Sequence, residues 1–142
     1  MPYIRIWVHL IFSTKNREKL ITTALRGPLL NHIRENGQRK SIHIDFINCM
    51  ADHCHILISL GSSQSISEVV RLIKGESSNW INKNNLSRMH FSWQEEYIAL
   101  SVSDSQVDRV REYIKNQEEH HRVKTFADEY DLFIKKTGLK LG

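Results

Sequence analysis

The chain has 142 residues, enough for one compact core, and its 40% hydrophobic and 25% charged residues are the balance of a globular domain. With six glycines and two prolines it is neither a low-complexity nor a collagen-like chain. The formal net charge of +4 suits a polyanionic partner, nucleic acid or a membrane surface.

The start, Met1-Pro2-Tyr3-Ile4-Arg5, carries no basic segment followed by a signal-type apolar stretch. Arg5 and His9 interrupt the first hydrophobic segment far short of a membrane span. A soluble, cytoplasmic protein with no membrane contact is therefore expected. No Gly/Ser linker or internal repeat divides the chain, so residues 1–142 read as one domain.

Tyr3 to Thr14 alternates, with Ile4, Ile6, Val8, Leu10 and Phe12 on one face and Tyr3, Arg5, Trp7 and His9 on the other. That is a strand with one apolar side. After the polar turn Lys15 to Lys19, Leu20 to Asn36 has helical spacing, with Leu25, Leu29 and Ile33 on one stripe and Gly37 as its stop. Ser41 to Cys49 and His53 to Leu60 read as two strands joined through Met50-Ala51-Asp52, a hairpin. Cys49 and Cys54 read as small buried thiols rather than a disulfide or zinc framework.

Ser65 to Lys83 is a second helix, burying Ile66, Val69, Val70, Ile73 and Trp80. Phe91 to Ser103 reads as a fourth strand carrying Trp93. Asp104 is a plausible N-cap for a third helix from Ser105 to His120. A short helix near Phe126 to Lys135 and a basic tail, within residues 126–142, complete the chain. The order β-α-β-β-α-β plus a further helix predicts an α+β, ferredoxin-like fold: two helices cover one face of a four-stranded antiparallel sheet.

Two groups of residues carry chemistry. His53 and His55 are two apart on a strand, so their imidazoles emerge on one face while Cys54 points to the other. Paired neutral imidazoles can hold one metal ion, although such a pair is also what a solvated strand face carries. Tyr113 and Gln117 are four apart and share one side of the third helix, beside the apolar stripe Val107, Val110 and Ile114. An ordinary amphipathic helix would look the same.

The two groups gain meaning together. If the first two helices occupy one sheet face, the third has the His53/His55 face, or a partner subunit, to pack on. A phenol and an amide oxygen would then meet two imidazoles around one divalent ion. No carboxylate cluster suggests a two-metal nuclease, and no Ser-His-Asp or Cys-His arrangement is evident. A tyrosine nucleophile assisted by a Lewis acid remains, which fits transesterification of a phosphodiester through a 5′-phosphotyrosyl adduct.

At this point the chain resembles the HUH (His-hydrophobe-His) single-tyrosine transposases of bacterial insertion sequences, whose relatives include the transposases associated with repeated extragenic palindromes. The likeness is carried by Thr14-Lys15-Asn16-Arg17, Asp52-His53-Cys54-His55-Ile56-Leu57-Ile58, Ile73-Lys74-Gly75-Glu76-Ser77-Ser78, Phe91-Ser92-Trp93-Gln94 and Tyr113-Ile114-Lys115-Asn116-Gln117. Ala51, Cys54 and the glycine-free stretch Glu95 to Ile98 depart from the family pattern without removing a chemical group.

The resemblance implies that His53, His55 and Gln117 are metal ligands for Mg2+ or Mn2+ and that Tyr113 is the nucleophile. It implies a homodimer whose active site can be shared between subunits, acting on single-stranded DNA with hairpin ends. Arg17, Lys19, Arg71, Lys74, Arg122 and Lys124 are the candidate phosphate contacts. His120 and His121 are candidates for binding or structure, and Trp7 and Trp93 for base stacking, although packing suits those rings as well. The competing reading is a non-catalytic or domesticated nucleic-acid-binding homodimer on the same fold.

Overall fold

In the computed structural model, residues 3–119 together with Asp128 and Asp131 are described. Strand β1 (Trp7–Ser13) leads through a 3-10 turn (Lys15–Arg17) into helix α1 (Thr23–Arg39). Strands β2 (His43–Cys49) and β3 (His53–Ser59) form the expected hairpin, and helix α2 (Ile66–Lys83) follows. Strand β4 (Ile98–Val102), a second 3-10 turn (Asp104–Gln106) and helix α3 (Val107–Lys115) complete the elements among the described residues. The sheet is antiparallel throughout in the order β2-β3-β1-β4, the ferredoxin-like arrangement read from the sequence. The short helix and tail expected within residues 126–142 lie outside the described residues.

Both long helices begin where side chains can satisfy their first N–H groups. Thr22 accepts from Leu25 N at 3.2 Å and Ser65 from Glu68 N at 3.2 Å. Their buried stripes, Leu25, Leu29 and Ile33 on α1 and Val69, Val70, Ile73 and Ile81 on α2, pack on one sheet face against Val8, Leu10, Phe12, Ile47, Ile56 and Ile58. Helix α3 lies on the opposite face, where Val107 and Ile114 pack on Leu57 with Phe46, Trp7 and Tyr113 around them.

Several boundaries differ from the sequence reading for physical reasons. Leu20 and Ile21 precede α1 as buried extended residues, and Ile21 N donates to Ala51 O at 2.9 Å. Gly37 does not stop α1 but lies inside it. An added Cβ would meet Ile44 Cδ1 at 2.8 Å, so the glycine is where helix and β2 approach closely. Phe91 to Glu96 is no part of β4. Asn82 brackets Phe91 with two 2.8 Å bonds, Ser77 accepts from Trp93 Nε1 at 2.9 Å, and Trp93 bridges to Thr14.

Asp104 does not cap α3. Its carboxylate accepts from Trp7 Nε1 at 2.9 Å and Arg5 Nη1 at 3.2 Å, and those bonds hold its pKa below the ordinary carboxylate range. The two cysteines are not separate thiols: Cys49 and Cys54 face each other across the β2–β3 hairpin and form a disulfide.

Candidate active site

Strand register assembles the site. His53 lies opposite Ser13 and His55 opposite Ile11 of β1, while on the other side His55 faces Asn48 of β2. Directly opposed residues share a sheet face, so His9, His53, His55 and Asn48 all lie on the side that α3 covers. The His53 and His55 ring centroids are 5.1 Å apart, and both residues are fully buried.

Helix α3 brings Tyr113 to this cluster within the same chain. Its ring is 5.7 Å from that of His55 and 6.1 Å from that of His9, edge-on to both. Gln117, one turn on, is also fully buried, and its Nε2 donates to Tyr113 O at 3.2 Å. That bond turns the amide nitrogen back along the helix and leaves Oε1 as the acceptor end of the side chain. Of the residues anticipated together, Tyr113 stands beside His55 and His55 beside His53.

The helix is fastened where it matters. Asn48 donates from Nδ2 to Ile114 O at 2.9 Å and accepts from Arg26 Nη2 at 2.8 Å, and Arg26 also pairs with Glu118. Arg111 grips Asp45 through two bonds of 2.6 and 2.8 Å and reaches Asp108 at 2.8 Å. The guanidinium beside it holds the Asp45 carboxyl below the ordinary carboxylate range, and Arg111 itself is held more strongly protonated. None of these tethers follows from hydrophobic periodicity.

The histidines are oriented by their Nδ1 atoms. His53 Nδ1 lies 2.7 Å from the Asp52 carboxylate, and His55 Nδ1 lies 2.9 Å from His9 Nε2. Nε2 of both rings is buried on the opposite edge. A carboxylate on the outer nitrogen of an imidazole is the usual partner of a metal-ligating histidine, fixing its tautomer and raising its basicity. The donor set of two imidazole Nε2 atoms and an amide Oε1 therefore fits a divalent ion. Among the described residues no three His, Cys, Asp or Glu side chains form a ready cage, so any ion would depend on the amide and on substrate or water.

The basic candidates fall into different settings. Arg17 and Lys19 are exposed. Asn16 and Arg17 hold left-handed φ values of 57° and 55°, unusual for an arginine, in a turn braced by Lys15 N to Ser92 O and Asn16 N to Gln94 Oε1. Arg71 is exposed and paired with Glu68 on its own helix. Lys74 is half-buried, and its ammonium donates to the carbonyls of Gln94, Glu95 and Glu96 at 2.5 to 3.1 Å. Burial lowers its basicity, and its structural work is to hold the 94–96 segment.

Lys15, Arg71, Lys74, Trp93 and Tyr97 line a cavity of about 690 Å³ at this end of α2. A second cavity, about 580 Å³, opens between β4 and α3 beside His9, Arg109 and Tyr113. Trp93 packs between Phe12 and Phe91, each centroid 4.8 Å away, and so serves the core. Arg122, Lys124, His120 and His121 lie outside the described residues.

This sheet, with a tyrosine helix laid over a His-x-His strand, is the architecture of a transposase domain. Residues 3–117 match the family described as IS200-like transposases, and the chain belongs to that family. It is 25% identical over 114 residues to the ISDra2 transposase TnpA of Deinococcus radiodurans, covering 77% of this chain and 81% of the relative. It is 24% identical over 121 residues to the transposase for insertion sequence element IS200 of Salmonella typhimurium, covering 81% and 78%.

Two solved structures share the fold at a TM-score of 0.64. One is a putative transposase from Deinococcus radiodurans, 22% identical, with 82% of this chain and 95% of that one covered. The other is a REP-associated tyrosine transposase bound to a REP hairpin, 18% identical, with 85% and 72% covered. No described helix is long and apolar enough to cross a membrane.

Proposed function

We propose that this transposase cleaves and rejoins single-stranded DNA by transesterification, with Tyr113 as nucleophile and hairpins at the element ends as the recognised feature. The observation that carries the reading is the 5.7 Å approach of the Tyr113 ring to His55, on a helix fastened to the sheet of the same chain. Hairpin recognition draws its support from the structural neighbour bound to a REP hairpin.

In the proposed reaction the Tyr113 hydroxyl oxygen attacks phosphorus and the bond to the 3′ oxygen breaks. The phenol gives up its proton and the departing 3′ oxygen gains one. The products are a 5′-phosphotyrosyl adduct and a 3′-OH, and a different 3′-OH can reverse the step onto new DNA. A phenol with an ordinary pKa of about 10 is only ~0.1% ionised at neutral pH, so the site must stabilise the phenolate.

His53, His55 and Gln117 would hold the metal, Mg2+ or Mn2+. When bound, it supplies Lewis acidity toward a phosphate oxygen. Asp52 and His9 orient the two imidazoles, while Asn48 and Arg111 hold the nucleophile's helix against them. The cavity between β4 and α3 gives a strand room to reach Tyr113 from the side away from His53, with Arg109 as a cation on its wall. In a homodimer, as the family resemblance implies, each protomer would then carry its own complete site.

The test is a denaturing gel with a labelled single-stranded hairpin from the element end and Mn2+. Wild-type protein should give a covalent protein–DNA band. Tyr113→Phe should bind the hairpin with unchanged affinity and give no band, a loss of at least about a hundredfold for removal of a nucleophile. An undiminished band in that variant would reassign the nucleophile. Tight hairpin binding by wild type with no adduct in either metal would favour the non-catalytic reading.

A further inference from the structure

We propose that His9 is a positioning residue: it accepts a hydrogen bond from His55 Nδ1 and thereby fixes the tautomer that presents His55 Nε2 as a lone-pair donor. The inference rests on the metal-site reading above, and it starts from strand geometry. His9 is paired with Leu57, and His55 lies two residues before Leu57 on the same face. Such diagonal neighbours across an antiparallel pair are within reach of long or aromatic side chains. Here the two rings are 5.1 Å apart and the nitrogens meet at 2.9 Å, with His9 only 4% exposed and His55 fully buried.

A neutral imidazole has one N–H and one lone pair, so a bond between two of them has only two forms. If His55 Nδ1–H donates to His9 Nε2, the lone pair of His55 is on Nε2. If His9 Nε2–H donates, the His55 proton sits on Nε2 and that atom cannot ligate. The neighbouring histidine has no such choice. His53 Nδ1 faces the Asp52 carboxylate, which accepts only, so the His53 proton is on Nδ1 and its lone pair on Nε2. His9 thus plays for His55 the part that Asp52 plays for His53.

The ambivalence of an imidazole is removed when His9 carries its own proton on Nδ1. The ring then accepts at Nε2, and the Tyr113 ring stands beside it with the two centroids 6.1 Å apart. One buried residue beside both a prospective ligand and the prospective nucleophile would in this way set the orientation of the former.

Two measurements decide it. Long-range proton–nitrogen NMR of the metal-free protein should find His55 with its proton on Nδ1. Calorimetric titration with Mn2+ should show binding about 10 to 100 times weaker in His9→Leu than in wild type, the usual effect of losing such an orienting partner. His9→Gln, whose amide oxygen can accept in place of Nε2, should stay within a few-fold of wild type. A His55 proton on Nε2, or His9→Leu binding Mn2+ as tightly as wild type, overturns the proposal. Wild-type protein that takes up no Mn2+ overturns the metal reading instead, and the NMR tautomer then decides the role of His9 by itself. Should the leucine variant fail to fold, the tautomer and the glutamine variant carry the decision.

Discussion

Asn48 is the residue on which the catalytic side of the sheet turns, although nothing in its sequence context marks it. Its side chain satisfies Ile114 O on α3 and Arg26 from α1, both in a largely buried setting. Asn48→Ala leaves a helix carbonyl and a guanidinium without this partner, which should cost about 1–3 kcal/mol in urea unfolding. Adduct formation should slow by more than that loss of folded protein explains, because α3 carries Tyr113. A variant as stable and as fast as wild type would show that the bridge does not hold the helix. The His53/His55 pairing, by contrast, is legible from strand alternation alone, since a period of two leaves no other placement. Asp52, His9 and Asn48 escape because hydrogen-bond partners have no periodicity and need the strand register. The cysteine pairing escapes for a related reason. A three-residue connection, 50–52, would set Cys49 against His53, whereas Met50 N donates to His53 O at 2.8 Å, which shortens the turn to Ala51-Asp52 and brings Cys49 opposite Cys54.

Among the elements, α3 was legible as an amphipathic helix, and with the two earlier helices filling one face the sequence left it the open face or a partner subunit; it takes the open face of its own chain. Its start was not legible. Asp104 looks like a cap in sequence but is drawn off by Trp7 and Arg5, so a 3-10 turn intervenes before Val107. The fourth strand is shorter than its hydrophobic run because residues 91–96 share their polar groups between α2 side chains and the end of β1, through Asn82, Ser77 and Lys74 on one side and Ser13 O and Lys15 N on the other.

The Arg111–Asp45 clasp gives α3 a pH dependence of definite sign. Asp45 has a folded-state pKa below its unfolded value of about 3.9, so the carboxylate contributes stability that is fully present above that value. The contribution is lost as pH falls through the lower folded pKa. Between about pH 5 and pH 2 the unfolding free energy of wild type should therefore drop more steeply than that of Asp45→Asn, which starts lower at pH 7. Parallel pH profiles for the two proteins would show that the clasp is not coupled to folding.

For the whole molecule the decisive question is where each nucleophile works. The sheet is sandwiched: α1 and α2 bury one side, and α3 closes the histidine half of the other with an apolar seam of Leu57, Val107 and Ile114. Two polar clasps reinforce that seam, and Gln117 is buried beyond it. Moving α3 onto a partner would mean breaking both clasps and exposing the seam before the same contacts were remade across subunits. Catalysis in cis requires none of this. We therefore expect that mixing Tyr113→Phe protein, which keeps its imidazoles, with His55→Ala protein, which keeps its tyrosine, will give no more adduct than either alone. Co-refolding the two from urea before the assay removes any kinetic bar to exchange. Adduct at about half the level of a wild-type and inactive mixture would mean that α3 of one chain serves the histidines of another, and that the clasps seen here are remade across a dimer.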